Sequence, residues 1–451
     1  MTSRTRTMAI TRLAYPIVIA QLGSILQGWA DTIMVGQYGT PELSAAGFVN
    51  NVFNFCLYFL LGISYATTPI VATFFIQRKY VQVLRSLRES NWVGLMASMV
   101  IAALLIVLYL NLHRLGQPSH LLPIMRPYFL CLILSLPFLS LFNSLKQFFD
   151  ALGDTKTPMW VMIASNIINF VLNYLFIFIL DQGLFGAGLA TLISRIFMPA
   201  ALYEALKYGK LLRSSQFLSA MKAPEQLACS RAGMLTLFRL GLPISIQMCL
   251  EAGSFNVCAI FMGWIGATAL AAHQVMGTVA TLGFMVYYGI GAAAAIRIAH
   301  YRGLNDWQEV RMTARTAFLL SLVSSVIVTL FICLSATQIA RLFTTSMEVA
   351  TLFFALLPCF VAYQFGDCLQ TIYANSLRAI ESVRAMMLYA FLAYGVISVP
   401  LAYLFAFPLH LGAVGIWWSF PFGLTAAGIG YYIHFRHRLS HCSSPSKEQG
   451  T

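Results

Sequence analysis

Three long stretches of this chain contain no Asp, Glu, Lys or Arg: Leu43 to Gln77, Ala252 to Ile296 and Ala385 to Phe435. A charge-free run of that length cannot cover itself with a soluble surface. In lipid it has one solution, because backbone N–H and C=O groups find no partner except within a helix. The rest of the composition agrees, with 59% hydrophobic and only 10% charged residues, where soluble chains carry about 25% charged residues. A hydrocarbon core takes roughly 20 apolar residues per helix. The apolar runs then predict twelve spans, near 12–34, 45–76, 90–111, 124–146, 157–180, 185–206, 237–262, 268–296, 314–337, 349–375, 385–406 and 412–434. The basic start of the chain leads into the first of these with no cleavage site, which predicts an uncleaved first span.

The net charge of +13 is spread over short loops rather than gathered into a patch, which argues against a nucleic-acid partner. Of the 28 Lys and Arg, only Arg114, Arg126 and Arg341 fall in loops of one side, and Arg195 falls inside a span. Nearly all the others, including Lys146, Lys210, Arg213, Lys222 and Lys447, fall on the opposite side. The positive-inside rule makes that side cytoplasmic and places both termini there.

The two halves of the sequence repeat each other. Arg12-Leu-Ala-Tyr-Pro16 recurs as Arg239-Leu-Gly-Leu-Pro243, and Val35-Gly36-Gln-Tyr-Gly39 recurs as Met262-Gly263-Trp-Ile-Gly266. Leu43, Ala45 and Ala46 stand opposite Leu270, Ala272 and His273. Pro16 and Pro243 are 227 residues apart. The pairs Gly36 and Gly263, Asp154 and Glu381, and Gly188 and Gly415 keep that separation. A fixed offset across several spans means duplication of six spans, both copies having the same orientation. The expected organisation is a lobe over 1–206, a polar cytoplasmic linker over 207–236, a second lobe over 237–435 and a cytoplasmic tail over 436–451.

Most of the 15 acids lie in loops or at span ends. Asp31, Glu251 and Asp367 lie well inside spans, where a carboxylate costs about 2.5–3.5 kcal/mol and normally marks an ion or proton path. Tyr363 is one turn before Asp367 on the same helix face. Asn169 and Asn173 are likewise one turn apart on the fifth span, with Thr191 on the sixth. These residues predict one polar cluster per half: Asp31, Asn169, Asn173 and Thr191 in the first; Glu251, Tyr363 and Asp367 in the second. Taken singly, the amides and the threonine read equally well as polar glue between helices. Arg195 is either a counter-ion for an acid or a side chain reaching for the interface, and His273 reads as a hydrogen-bonded packing residue. Many aromatic side chains could supply a wall for organic cations. No phosphate-binding loop, HExxH or GxSxG is present, so no enzyme and no ATP-driven pump is indicated.

The chain resembles the multidrug and toxic compound extrusion (MATE) transporters, most of all their NorM-type branch. The resemblance rests on Leu13-Ala-Tyr-Pro16, Asp31-Thr-Ile-Met-Val-Gly36, Leu43-Ser-Ala-Ala46 and Leu152-Gly-Asp-Thr-Lys-Thr-Pro158. In the second half it rests on Gly241-Leu-Pro243, Glu251, Ala271-Ala-His-Gln-Val275 and Tyr363-Gln-Phe-Gly-Asp367. It implies an all-α integral membrane fold of twelve transmembrane helices in two pseudo-symmetric six-helix bundles (MATE/MOP-type), opening outward as a V. It implies a monomeric antiporter of the bacterial inner membrane that exports organic, cationic and amphiphilic compounds for sodium or protons, with no other cofactor. Asp31, Asn169, Asn173 and Thr191 match the N-lobe cation and proton site, where some relatives carry an acid in place of Asn173. Glu251, Tyr363 and Asp367 match a C-lobe sodium site, and Pro16 matches a first-helix proline that bends during transport. A lipid-linked precursor flippase of related architecture, or a passive channel, are the competing readings. The first would need several basic residues in its cavity and the second a filter motif.

Overall fold

The computed structural model describes residues 2–114, 118–209, 217, 227–344 and 346–443. Eleven helices are long and apolar enough to cross a membrane: Ser3–Tyr38, Thr40–Ile76, Tyr80–Leu110, Leu122–Ala151, Lys156–Ile179, Gly183–Tyr208, Arg231–Ile265, Ala267–Gly303, Trp307–Leu334, Met347–Ala379 and Val383–Ala406. The helix Gly412–Ser443 follows them and contains the twelfth predicted span. All twelve spans are therefore helical, and many helices overrun the sequence-based ends. The first, 36 residues long, measures roughly 54 Å at 1.5 Å per residue, against about 30 Å of hydrocarbon. The overrun removes some cations from loops: Lys146 lies in the last turns of the fourth helix, buried and 2.9 Å from Asp150.

The duplication is visible in the backbone. Helix ends at Tyr38, Thr40, Ile76, Tyr80, Lys156 and Ile179 are matched by ends at Ile265, Ala267, Gly303, Trp307, Val383 and Ala406, each pair at the separation seen in the sequence. Arg78 and Asn305 both adopt left-handed backbone, with φ of 59° and 58°, and end the equivalent second and eighth helices. Each third helix of a half also presents the same apolar stripe outward. Trp92, Met96, Val100, Leu104 and Val107 are exposed in one copy, and Leu319, Val323, Ile327, Phe331 and Leu334 in the other. A continuous stripe of that length is a lipid-facing surface.

Two compact units are present, and they do not coincide with the duplicated halves. One is Ile19–Ser245; the other joins the chain up to Val18 with the chain from Ile246 onward. Both crossings fall at equivalent positions, two residues past Pro16 and Pro243. The reason lies in close helix packing. An added Cβ on Gly62 of the second span would lie 2.4 Å from Ser245 Cα, and one on the equivalent Gly289 would lie 2.3 Å from Val18 Cγ2. Each second helix of a half thus takes the opening turns of the other half's first helix into its own unit. Relative to the lobes expected over 1–206 and 237–435, the opening turns of the first and seventh helices have changed places.

Little of the expected linker, 207–236, can be described. Residues 210–216 and 218–226 lie outside the described residues, as does the tail from 444, so Lys210, Arg213, Lys222 and Lys447 are not placed. Residues 231–236, expected as linker, already belong to the seventh helix. A buried carboxylate anchors that helix start. Glu89 Oε1 accepts from Ser230 N at 2.9 Å and Ser230 Oγ at 3.0 Å, and Ser230 Oγ accepts from Gly233 N at 2.9 Å. Arg85 Nε lies 3.2 Å from the same oxygen. Glu89→Ala removes the acceptor of both serine bonds and is expected to lower stability by about 1–3 kcal/mol. The apparent Tm of the purified protein checks this.

Candidate functional site

The first cluster forms within Ile19–Ser245. Asn173 Nδ2 donates to Asp31 Oδ1 at 2.6 Å and to Asn169 Oδ1 at 3.1 Å. The two amide hydrogens of one residue thus tie the first and fifth spans together around a carboxylate. Both asparagines are fully buried, and Asn169 Nδ2 and Asn173 Oδ1 have no partner. Thr191 does not join this set by hydrogen bonding. Its hydroxyl returns to Ala187 O, one turn back on its own helix, at 2.9 Å.

Arg195 is held inside the bundle rather than reaching for the interface. Its Nη1 donates to the fully buried Ser135 Oγ at 2.7 Å, and its guanidinium carbon lies 4.9 Å from the centre of the Phe53 ring. It makes no direct ion pair with Asp31 among the described residues, yet its field reaches that carboxylate. Tyr128, bonded to Asn50 Oδ1 at 2.9 Å, lies within the same field.

The second cluster forms within the unit that contains Ile246 onward. Asp367 is 1% exposed. Its Oδ1 accepts from Thr371 Oγ1 at 3.3 Å. Glu251 Oε2 accepts from Gln247 Nε2 at 2.8 Å and Gln370 Nε2 at 3.1 Å. The two acids are connected through Gln370, whose Oε1 accepts from Thr371 at 3.0 Å, and the charge of Glu251 acts on Asp367. Tyr363 adjoins both acids, and its hydroxyl is a hydrogen-bonding neighbour of the Asp367 carboxylate.

Several aromatic rings pack around Tyr363, most of them buried. The Tyr363 ring centre lies 6.1–6.4 Å from those of Phe255, Phe360, Trp417 and Phe420, and Phe255 stacks on Phe420 at 4.6 Å. His273 packs into the same group, 5.7 Å from Trp417 and 6.4 Å from Phe420. It is a packing residue as expected, but its Nδ1 is buried without the hydrogen bond that reading included.

Several groups escaped the sequence reading. Gln247 and Gln370 hold Glu251, and Tyr287, Tyr394, Tyr431 and Gln364 bring further buried polar atoms to this unit. The charge of Glu251 reaches Tyr394 and Tyr431, and that of Asp367 reaches Tyr287. The spacing of Tyr363, Asp367 and Thr371, and of Gln247 and Glu251, puts each set on one helix face and could have revealed part of this. Each lobe also has a π-helical segment in its fifth span at the polar cluster: Tyr174–Ile179 directly after Asn173, and Phe391–Ser398 carrying Tyr394. Such segments leave backbone carbonyls loosely paired and recur at functional sites.

Twelve apolar helices in two copies, each copy with a carboxylate set among buried polar side chains, define a duplicated membrane carrier. A model of the MatE family matches this chain twice, over residues 16–175 and again over 243–404, once in each half. The “Probable multidrug resistance protein NorM” of Bradyrhizobium diazoefficiens is 31% identical over 420 residues, covering 91% of this chain and 89% of that protein. The “Multidrug resistance protein NorM” of Vibrio vulnificus is 28% identical over 445 residues, covering 95% of each. Among solved structures, a eukaryotic MATE transporter matches with a TM-score of 0.87 over 98% of both chains at 18% identity, a likeness of fold. The chain belongs to the MATE family, and within it resembles the NorM branch.

Proposed function

We propose that this transporter exports organic, cationic and amphiphilic compounds from a bacterial cell in exchange for sodium ions or protons, by alternating access across the inner membrane. The reading draws its cargo from the multidrug resistance proteins it resembles. It draws its energy source from one observation: each compact unit sets a carboxylate among buried polar side chains inside an apolar bundle, Asp31 beside Asn169 and Asn173 in one, Asp367 beside Tyr363 and Thr371 in the other. An apolar bundle does not keep such groups unless something neutral or positive relieves them in part of the cycle.

The carboxylate oxygens fit a hard cation or a proton. Sodium at the second cluster would be held by Asp367, Glu251 and Tyr363; at the first, Asp31 would take the proton or ion with Asn169 and Asn173 around it. Neutralising an acid removes its need for water and favours the conformation that closes over it. Each charge moved across 100 mV supplies about 2.3 kcal/mol, enough for roughly fifty-fold accumulation. Both termini face the cytoplasm in this scheme, as the loop charges require.

Proteoliposomes loaded with a fluorescent cationic dye test the scheme, with sodium and proton gradients imposed independently. Dye should move against its own gradient under one of the two, and stop when an ionophore dissipates it. Movement at the same rate with no ion gradient of either kind would remove the antiport reading.

A further inference from the structure

The twelfth helix runs past its apolar part to Ser443 and carries His434, His437 and His441 in its closing turns. Residues four apart lie one above the other on a helix face, and His437 and His441 have that spacing. Their Nε2 atoms lie 3.1 Å apart and their ring centres 4.4 Å apart, with 70° between the planes. Both residues are exposed. Without an ion, one ring donates its Nε2 hydrogen and the other accepts it. The same separation suits a second use. Two imidazole nitrogens at about 2.0–2.1 Å from one metal ion are about 2.9 Å apart across a right angle and about 3.4 Å apart across a tetrahedral angle. The observed distance falls between the two.

We propose that His437 and His441 together bind one divalent transition-metal ion of the kind imidazole prefers, copper(II), nickel or zinc, at the end of the twelfth helix. The site lies apart from both carboxylate clusters and is independent of the antiport reading. Neutral imidazole holds these ions through a nitrogen lone pair. On binding, the donor ring's hydrogen moves from Nε2 to Nδ1, both rings present a lone pair, and no proton is lost. Among the described residues no three His, Cys, Asp or Glu side chains gather to hold an ion, so water completes the shell, as the exposure of both rings permits. His434 is engaged elsewhere: its Nε2 lies 2.8 Å from Ser382 Oγ and its ring centre 6.1 Å from that of Tyr389. Arg436 leans back one turn, where its Nη1 donates to Tyr432 Oη at 3.3 Å and its guanidinium carbon lies 5.7 Å from that ring's centre. Arg438, whose charge reaches His434, opposes a bound cation. The helix end favours one, because His441 stands in the last turn, where the unpaired carbonyls make the dipole negative. A bound ion ties the closing turn to the one before it.

Calorimetric titration of the full-length protein, free of any added polyhistidine tag, with Cu2+, Ni2+ and Zn2+ salts alone tests the site. The first ion to bind each chain should be held tightest when it is Cu2+, the order nitrogen ligands impose on these metals. His437→Gln and His441→Gln each remove one of two protein ligands and should weaken that binding at least about tenfold. His434→Gln should keep the parental affinity. So should Cys442→Ser, although the exposed thiol it removes follows His441 directly. The electron paramagnetic resonance spectrum of bound Cu2+ should show coupling to two nitrogens in the parent and to one in either weakened variant. Parental affinity in His437→Gln or in His441→Gln would overturn the proposal. Loss of binding in His434→Gln or Cys442→Ser would overturn it equally, since the ligands would then not be this pair.

Discussion

Exchange by an Asp31→Asn variant is expected to fall at least about tenfold, with little change in the stability of the protein. The carboxylate is joined to Asn173 Nδ2 at 2.6 Å, and bonds of this charge-assisted kind are worth about 1.5–3 kcal/mol, or ten- to hundredfold in an equilibrium. Asn keeps an acceptor oxygen for Asn173 in the same shape but cannot carry the charge. Function and folding therefore separate at this position. Asn173→Leu should not separate them. It removes the partner of Asp31 and of Asn169 Oδ1 together, so exchange and apparent Tm should both drop, the latter through about 2–3 kcal/mol of unpaired buried polarity. Dye export from proteoliposomes and thermal unfolding of the same preparations check both. An Asp31→Asn protein that exchanges at the parental rate would exclude the first cluster from ion coupling.

Gly62→Ala is expected to be among the most destabilising single-methyl additions in the chain. The added Cβ would meet Ser245 Cα at 2.4 Å and Ser245 N at 2.5 Å. Those are backbone atoms of the seventh helix and cannot rotate away, so the helices must separate or tilt, at about 3 kcal/mol or more. The equivalent Gly289→Ala meets the end of a side chain, Val18 Cγ2, at 2.3 Å, with backbone no nearer than 3.3 Å. A valine rotamer change relieves part of that clash, so Gly289→Ala should cost less. Gly28→Ala meets nothing within 4 Å and gains helix propensity, so its Tm should equal or exceed that of the parent. Thermal unfolding in one detergent ranks the three. Equal stability of Gly62→Ala and Gly28→Ala would show that the close crossing of the second and seventh helices does not hold the unit together.

The sequence carried the helices because lipid leaves a backbone one way to pair itself. Each predicted span, from 12–34 to 412–434, lies within or nearly within a helix, and the repeat read from Pro16 and Pro243 reappears in paired helix ends. It also carried the acids, since Asp31, Glu251 and Asp367 stand out against an apolar background whatever the fold. The asparagines were visible as a pair, because Asn169 and Asn173 are one helical turn apart. What surrounds the acids was not visible. Gln247 and Gln370 are ordinary residues in sequence, and gain a role only when the seventh and tenth spans meet. Thr191 shows the converse: its place beside Asn173 was a matter of span order, and its hydroxyl found a nearer partner in its own helix.

Local physics therefore determined which segments are helical, how many there are, that they come in two copies and which charges are out of place. Only the tertiary structure decided that the opening turns of the first and seventh helices join the other half's unit, that Arg195 turns inward to Ser135 and Phe53, and that glutamines of the seventh and tenth spans both reach Glu251. The physical reason is range. Backbone pairing in lipid acts between neighbours along the chain, whereas the state of a buried charge depends on donors that arrive from distant helices.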